Sequence, residues 1–262
     1  MDQQAIDNEV QRRLDAVEQA EDVVVLFACE SGSRAWGFAS ADSDFDVRFI
    51  YARRPDWYLS IDLEQRRDVI ETPIEDPWDV NGWDLRKALQ LLRKSNPPLL
   101  EWLQSPIVYR EHSSTARRMR DLLPELYSAR SSHYHYLHMA RKNFREYLRG
   151  DIVRRKKYFY VLRPLLACRW IEAQRGAVPM EFATLVKHAE LERSVTTAIE
   201  ALLEEKRSGG ELSRGPRISA ISEFIEAELD RHDREASPRP QPSPRVTELN
   251  ELFRETLKEV WR

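Results

Sequence analysis

The chain of 262 residues contains two cysteines, Cys29 and Cys168, which lie far apart in apolar surroundings. A disulfide framework, or a zinc site built on closely spaced cysteines, needs more thiols at shorter spacing. We therefore expect both cysteines to be buried free thiols in a protein of a reducing compartment.

Long hydrophobic runs are also missing from the sequence. No stretch approaches the roughly 20 consecutive apolar residues that a membrane-spanning helix requires. The first residues, Met1-Asp2-Gln3-Gln4, lack the basic and apolar regions of a secretory signal peptide. These absences predict a cytoplasmic protein with no membrane partner.

A large excess of charge of one sign is absent as well. The 41 Lys and Arg residues and the 44 Asp and Glu residues leave a formal net charge of −3. Nucleic acid would therefore have to bind a local basic face, since the bulk charge of the chain does not attract it. The sequence contains no DNA-reading motif that we recognise.

The first part of the chain alternates between helical patterns and short apolar runs. Ile6, Val10, Leu14 and Val17 recur at helical spacing and predict a helix over 2–20. The apolar runs that follow predict strands, and the periodic segments between them predict helices. The predicted strands are 23–29, 45–51, 68–74, 78–83 and 107–109, and the predicted helices are 34–38, 84–94 and 99–103.

After about residue 112 the strand signals disappear. Helices are predicted at 113–126, 132–149, 153–175, 181–206, 216–233 and 246–261. We therefore predict an α+β fold, with a small mixed β-sheet and flanking helices at 1–111 and an all-α domain at 112–262. A Pro-rich linker is expected near 236–245 within the helical domain, because Pro at alternate positions favours an extended chain.

The sequence Gly32-Ser33 followed by Ser43-Asp44-Phe45-Asp46 is the strongest functional signal. Side chains at i and i+2 of a strand lie on one side, so Asp44 and Asp46 project together. Two adjacent carboxylates repel each other unless a cation lies between them. The Gly-Ser turn offers backbone N–H groups and a hydroxyl that suit a phosphate. This combination indicates Mg²⁺-dependent chemistry on a nucleoside triphosphate.

These motifs resemble the Gly-Ser and Asp-x-Asp signature of the DNA polymerase β-like nucleotidyltransferase superfamily. Four stretches narrow the resemblance to a bacterial branch of predicted nucleotidyltransferases linked to RNA repair. They are Gly-Ser-Arg-Ala-Trp-Gly, Asp-Val-Arg-Phe-Ile-Tyr, Asn-Gly-Trp-Asp-Leu-Arg-Lys-Ala-Leu and Leu-Leu-Glu-Trp-Leu-Gln-Ser-Pro-Ile-Val-Tyr. The resemblance covers about 22–110, and extends more loosely into the helical part through 156–164. It implies a nucleotidyltransferase domain in the first part of the chain.

The resemblance also implies roles for individual residues. Gly32 and Ser33 would hold the β- and γ-phosphates, and Asp44 and Asp46 would bind two Mg²⁺ ions, for which Mn²⁺ can substitute. A third carboxylate on a neighbouring strand normally completes such a site. Asp79, which begins the relevant strand, is favoured over Asp84, which has a competing role as a helix N-cap. The two would face opposite ways on a continuous strand.

Several cations and one hydroxyl are further candidates for nucleotide binding. Arg34, Ser43 and Arg48 lie in or beside the motif, and Arg34 could instead pair with an acidic neighbour. Arg48 could instead form a structural ion pair with a site carboxylate. Lys157 and Arg163 belong to a basic and aromatic segment at 154–163, whose alternative role is a solvated helix face.

Three histidines, His133, His135 and His138, lie close together in the helical part. No cysteine accompanies them in the sequence, and the first two would not share a helix face. Zinc binding is therefore not expected from this segment, and exposed or capping histidines are the prediction.

The predicted activity is transfer of a nucleoside monophosphate from an NTP to a hydroxyl, with release of pyrophosphate. The family branch suggests an RNA end as the acceptor. One alternative is transfer of AMP to a protein, as in toxin–antitoxin systems. Another is a pseudoenzyme that binds nucleotide or RNA without turnover.

Overall fold

The computed structural model describes residues 2–208, 214–234, 243 and 245–261. The chain forms two compact units. The first comprises Met1–Ala35, Asp44–Tyr127 and Ser243–Arg262, and the second comprises Trp36–Ser43 and Ser128–Pro242. Each unit has its own hydrophobic core.

The first unit is built on a five-stranded mixed sheet, as the sequence predicts. Its strands are β1 (Val23–Glu30), β2 (Phe45–Arg53), β3 (Val69–Glu71), β4 (Trp78–Asp84) and β5 (Val108–Glu111). The strand order is β3-β4-β2-β1-β5. Strands β2 and β4 are parallel, whereas the other neighbouring strands are antiparallel.

The helices confirm most of the segments predicted from apolar periodicity. They are α1 (Gln3–Glu21), α2 (Gly32–Ala35), α3 (Pro55–Tyr58), α4 (Leu85–Arg93), α5 (Pro97–Leu103), α6 (Thr115–Leu126), α7 (Ala129–Tyr147), α8 (Lys157–Glu172), α9 (Phe182–His188), α10 (Arg193–Arg207), α11 (Ser219–Arg234) and α12 (Val246–Val260). A 3-10 turn lies at Leu63–Gln65. In the part of the chain that the structure describes, no helix combines the length and apolarity needed to cross a bilayer.

Helix α1 covers one face of the sheet. It buries the four predicted side chains, Ile6, Val10, Leu14 and Val17, against strand residues such as Val47. Each such apolar side chain contributes about 1.5–3 kcal/mol when it is fully buried. The other face carries apolar residues from α4, α5, α6 and α12 over part of the sheet. Polar side chains of β2 and β4 also lie on this second face, and they form the candidate site.

The second unit is helical apart from a small sheet that apolar periodicity did not predict. Strands β6 (Ile152–Arg154) and β7 (Arg214–Pro216) pair antiparallel. The helix predicted at 153–175 therefore begins only at Lys157. The helix predicted at 181–206 is divided into α9 and α10, because Glu190 between them adopts a left-handed φ of 50°.

The boundaries of the compact units differ from the division at residue 111. The first unit includes α6 and α12, which the sequence analysis assigned to the helical domain. The reason is packing, since the buried Leu249, Leu252 and Leu257 of α12 lie in one apolar cluster with residues of α4 and α6. The predicted Pro-rich linker lies outside the described residues, except for Ser243 and Arg245.

Both cysteines are buried and free, as predicted. Cys29 ends the apolar run of β1, and Cys168 lies in α8. Burial raises the pKa of each thiol well above its ordinary range. Neither is therefore activated as a nucleophile.

Candidate active site

Two carboxylates of the motif region come together because β2 and β4 run in parallel. Asp46 of β2 lies opposite Asp79 of β4 in the strand register. Both side chains alternate with buried neighbours, so both project from the sheet face opposite α1. Their side chains are 27% and 26% exposed, which leaves them open to a small ligand.

The guanidinium of Arg48 lies between these two carboxylates. Its Nη2 atom is 2.9 Å from Asp46 Oδ1 and 2.7 Å from Asp79 Oδ2, and Nη1 donates to the Asp79 carbonyl at 2.9 Å. Asn81 also donates to Asp79 Oδ1. Arg48 therefore supplies the positive charge that two facing carboxylates need, which is the ion-pair arrangement considered from the sequence.

Gly32 brings the backbone of the Gly-Ser turn against Asp46. Its φ is +58°, and a Cβ built at this position would lie 2.0 Å from Asp46 Oδ2. The Ser31 N–H, one residue earlier, donates to the Asp46 carbonyl at 2.9 Å. Only glycine satisfies both the left-handed φ and this close approach. The turn and Asp46 therefore form one local structure.

Asp44 and Arg34 flank this contact. Asp44 is exposed and immediately precedes β2. The Arg34 guanidinium stacks over the Phe45 ring, with 4.2 Å between the guanidinium carbon and the ring centroid. Its buried Nε has no hydrogen-bond partner within the described residues. Arg34 thus holds positive charge beside the turn, while Ser33 is partly exposed within it.

Glu30 is a further site residue that the sequence analysis missed. Its Oε1 accepts a hydrogen bond from the Asp46 N–H at 2.7 Å, and its Oε2 accepts one from the Tyr109 hydroxyl. Burial is the main cause that raises the pKa of Glu30 to about 7. A charged residue at the end of the apolar strand β1, just before the Gly-Ser turn, is the signal that could have identified it.

Asp84 occupies a different environment from Asp79. It is the N-cap of α4, where its Oδ1 accepts from the Arg86 N–H at 2.7 Å. Its Oδ2 accepts from the Tyr58 hydroxyl at 2.8 Å. Asp84 is 4% exposed, and burial raises its pKa. Of the two candidates for the third carboxylate, Asp79 therefore lies beside Asp46, whereas Asp84 caps the N-terminus of α4.

Comparison with known proteins identifies the family. Residues 6–255 match the RNA repair pathway DNA polymerase beta family, RlaP. The chain belongs to this family. The resemblance inferred from the motifs is thereby confirmed, and membership supports nucleotidyl transfer as the general activity.

Two proteins illustrate the similarity of this RlaP family member to others. The uncharacterized protein YcgL of Bacillus subtilis (strain 168) is 50% identical over 250 residues, which covers 95% of each chain. The solved structure of a nucleotidyltransferase-like protein from Exiguobacterium sibiricum 255-15 aligns with 98% of this chain and 81% of its own. That alignment has a TM-score of 0.33 and 12% identity.

Ser43, the hydroxyl candidate of this RlaP family member, lies in the second unit. Its Oγ accepts from the Ser40 N–H at 2.9 Å and lies 3.5 Å from the Lys206 ammonium. Lys206 is only 7% exposed, and its ammonium also lies 3.4 Å from Ser40 Oγ. The sequence analysis did not select Lys206, because one lysine near a helix end carries no signal by itself.

Lys157 and Arg163 also lie in the second unit. The Lys157 ammonium lies 4.4 Å from the ring centroids of both Tyr147 and Tyr160, and burial lowers its pKa. Arg163 is 2% exposed, and its Nη2 donates to the carbonyls of Pro179 and Met180. Lys157 is therefore partly accessible, whereas Arg163 supports the backbone of its own unit.

Proposed function

We propose that the protein is an Mg²⁺-dependent nucleotidyltransferase. It transfers a nucleoside monophosphate from an NTP to a hydroxyl and releases pyrophosphate. The main support for this proposal is that the Gly-Ser turn, β2 and β4 meet at the Asp46 carboxylate. The Gly32 backbone lies against Asp46, and the β2–β4 register sets Asp79 beside the same carboxylate.

The carboxylates suit a hard divalent cation. Asp46 and Asp79 already share one positive group, the Arg48 guanidinium, within 2.9 Å. Carboxylate oxygens are the ligands that Mg²⁺ prefers, so Asp44, Asp46 and Asp79 would hold Mg²⁺ or Mn²⁺. When bound, such ions lower the pKa of the attacking hydroxyl and stabilise charge on the transferred phosphate and on pyrophosphate.

The chain's own residues would bind and orient the triphosphate. Because Gly32 has no Cβ, a phosphate can approach the N–H groups of the turn closely. The Ser33 hydroxyl lies in the same turn, and the Arg34 guanidinium provides charge next to it. Positioning and charge stabilisation supply most of the rate in phosphoryl-type transfer. Glu30 fixes the Asp46 backbone through the hydrogen bond to its N–H.

We propose an RNA end as the acceptor. The support is the description of the matched family as an RNA repair pathway family. Transfer of AMP to a protein and nucleotide binding without turnover are alternatives that a single experiment distinguishes.

The test is incubation of the full-length protein with α-labelled NTPs, Mg²⁺, total RNA and a protein extract. The variants are Asp46→Asn and Asp79→Asn. Glu71→Gln is the matched control, because this exposed carboxylate lies on the same sheet and pairs only with Arg67 among the described residues. We expect incorporation into RNA by the wild type and the control. The site variants should lose more than the roughly 10–100-fold that follows loss of an outer-shell partner.

The outcomes separate the alternatives. Label found in protein would overturn the RNA acceptor while leaving nucleotidyl transfer in place. Equal incorporation by the wild type and by an Asp44→Ala/Asp46→Ala double variant would show that the protein is not the enzyme responsible. NTP binding that does not depend on Mg²⁺ would then indicate the non-catalytic alternative.

A further inference from the structure

A cluster of metal-ligating side chains lies in the second unit, where three helices meet. His133 of α7, Cys168 of α8 and His232 of α11 place one ligating atom each within 4.8 Å of the others. Cys168 and His232 are 0% and 1% exposed. The three residues lie far apart in the sequence, so the close spacing that usually marks a zinc site is absent.

Glu172 lies beside this cluster, next to its two histidines, although it is not one of the three residues whose ligating atoms all lie within 4.8 Å of one another. It follows Cys168 by one helical turn on α8, and residues i and i+4 share a helix face. Its Oε1 lies 3.0 Å from His133 Nε2 and 3.7 Å from His232 Nδ1. Its Oε2 accepts a hydrogen bond from Arg231 Nη2 at 2.9 Å. The Glu172 carboxylate therefore faces both imidazoles.

His232 is buried, and one of its ring nitrogens has no hydrogen bond within the described part of the chain. That nitrogen is Nδ1. Arg231 Nη2 lies 3.2 Å from His232 Nε2, and a guanidinium can only donate, so Nε2 accepts. In the neutral ring the proton is therefore on Nδ1, which points toward the cluster. An unsatisfied buried group of this kind is costly and calls for an explanation such as a bound ion.

We propose that this cluster binds one Zn²⁺ ion. The ligands are the Cys168 thiolate, a ring nitrogen of His133, Nδ1 of His232 and the Glu172 carboxylate. Sulfur, imidazole and carboxylate are the donors that zinc accepts in four-coordinate sites. The two negative ligands balance the charge of the ion, so the ion and its four ligands together are neutral.

Binding releases one proton, which comes from the Cys168 thiol. The ring proton of His232 moves from Nδ1 to Nε2, and Arg231 withdraws from that nitrogen. Arg231 keeps a partner, since its Nη2 is also 3.1 Å from Glu228 Oε2. With all four positions taken by protein, the ion has a structural role and joins α7, α8 and α11. This inference does not depend on the proposed nucleotidyl transfer.

The test uses tag-free, full-length protein that has been stripped of metal and titrated with Co²⁺. We expect a thiolate-to-cobalt charge-transfer band and the visible bands of a tetrahedral ion, saturating at one equivalent and displaced by Zn²⁺. Mass spectrometry should find one zinc per chain in protein reloaded with Zn²⁺. Cys168→Ser should lose the charge-transfer band, and His232→Asn should lose stoichiometric binding.

Two controls match these variants. Cys29→Ser removes the other buried thiol, which lies in the first unit, and His138→Asn removes an exposed histidine of α7. Both should bind cobalt as the wild type does. Absence of a charge-transfer band in the wild type would overturn the proposal regardless of how the variants fold. An equal loss of the band in Cys29→Ser would overturn the assignment of Cys168.

Discussion

Gly32→Ala is the substitution whose consequence follows most directly from the structure. The methyl group would meet Asp46 Oδ2 at 2.0 Å, and the backbone φ of +58° disfavours any residue with a Cβ. Two separate costs therefore arise at this position. The first is the strain of a left-handed backbone at a residue with a Cβ. The second is the displacement of the Asp46 carboxylate, which we propose to bind metal.

The two costs can be estimated separately. A left-handed conformation costs a non-glycine residue about 1–2 kcal/mol. Relief of the close contact moves the Asp46 carboxylate by about 1 Å or more and lengthens its bond of 2.9 Å to Arg48. A hydrogen bond to a charged group contributes about 1.5–3 kcal/mol, and the partial exposure of this pair reduces that value. We therefore expect a loss of about 2–4 kcal/mol in the free energy of unfolding.

Gly176→Ala is the matched control, because Gly176 has a φ of +81° and, apart from its chain neighbours, no described residue has an atom within 4 Å of an added Cβ. It should incur only the backbone cost of about 1–2 kcal/mol. Urea denaturation followed by circular dichroism measures both variants. A displacement of about 1 Å at a reacting centre can cost about 100-fold in rate, so Gly32→Ala should also lose most nucleotidyl transfer.

The reasoning would be refuted if the two alanine variants were equally stable and equally active. That result would mean that Asp46 moves aside at no cost, or that its position is unimportant for transfer. A Gly32→Ala variant that is unstable but fully active would reject the role of the contact while leaving the packing argument intact.

Three further predictions concern single side chains. Arg48→Met removes the guanidinium that bridges Asp46 and Asp79. Thermal denaturation should therefore show a loss of about 1–2 kcal/mol that added Mg²⁺ restores. Equal stabilisation of the variant and the wild type by Mg²⁺ would contradict this. Asp84→Ala removes the N-cap of α4 and should cost about 0.5–2 kcal/mol in urea denaturation, with transfer activity kept. Complete loss of activity in a folded Asp84→Ala protein would instead favour Asp84 as the third carboxylate. The pKa of Glu9 is lowered from 4.5 to about 2, chiefly by its hydrogen bond to Arg12. Because the folded pKa lies below the unfolded one, the stabilisation is present above about pH 4.5 and is lost as the pH falls toward 2. The stability difference from Glu9→Gln, less than about 1 kcal/mol for this surface pair, should therefore vanish over that range, and a constant difference would contradict the assignment.

The spacing of apolar residues in the sequence predicts those helices and strands that bury one face against the core. The spacing of Ile6, Val10, Leu14 and Val17 gave the bounds of α1 to within a residue or two, because one helix face carries the burial. The strand pairing of β6 with β7 could not be predicted in this way. Those strands have three residues each and join segments far apart in sequence. Only tertiary contact stabilises such short strands.

At the candidate site, too, local patterns predict some residues, whereas others depend on contacts between segments far apart in the sequence. Strand alternation predicts that Asp44 and Asp46 project together, although Asp44 lies just before β2, which begins at Phe45. The resemblance to the superfamily favours Asp79 as the third carboxylate. Glu30 was overlooked, since its role depends on the position of the Asp46 N–H in another strand. The approach of Cys168 and His232 to His133 is similarly invisible in the sequence, because it depends on how three helices pack.

The distribution of charge around β2 gives an argument for function that does not depend on the family. Glu30, Asp46 and Asp79 lie on three adjacent strands, and burial of Glu30 raises its pKa to about 7. Holding carboxylates this close opposes folding, because like charges repel each other. Arg48 only partly offsets the repulsion, because one guanidinium serves two carboxylates. These carboxylates repel each other, lie beside a glycine at which an added Cβ would clash with Asp46, and are open to solvent. Such an arrangement fits the cation site that we propose. Arg48→Met tests this argument, because Mg²⁺ would then have to replace the guanidinium as the positive charge that Asp46 and Asp79 share.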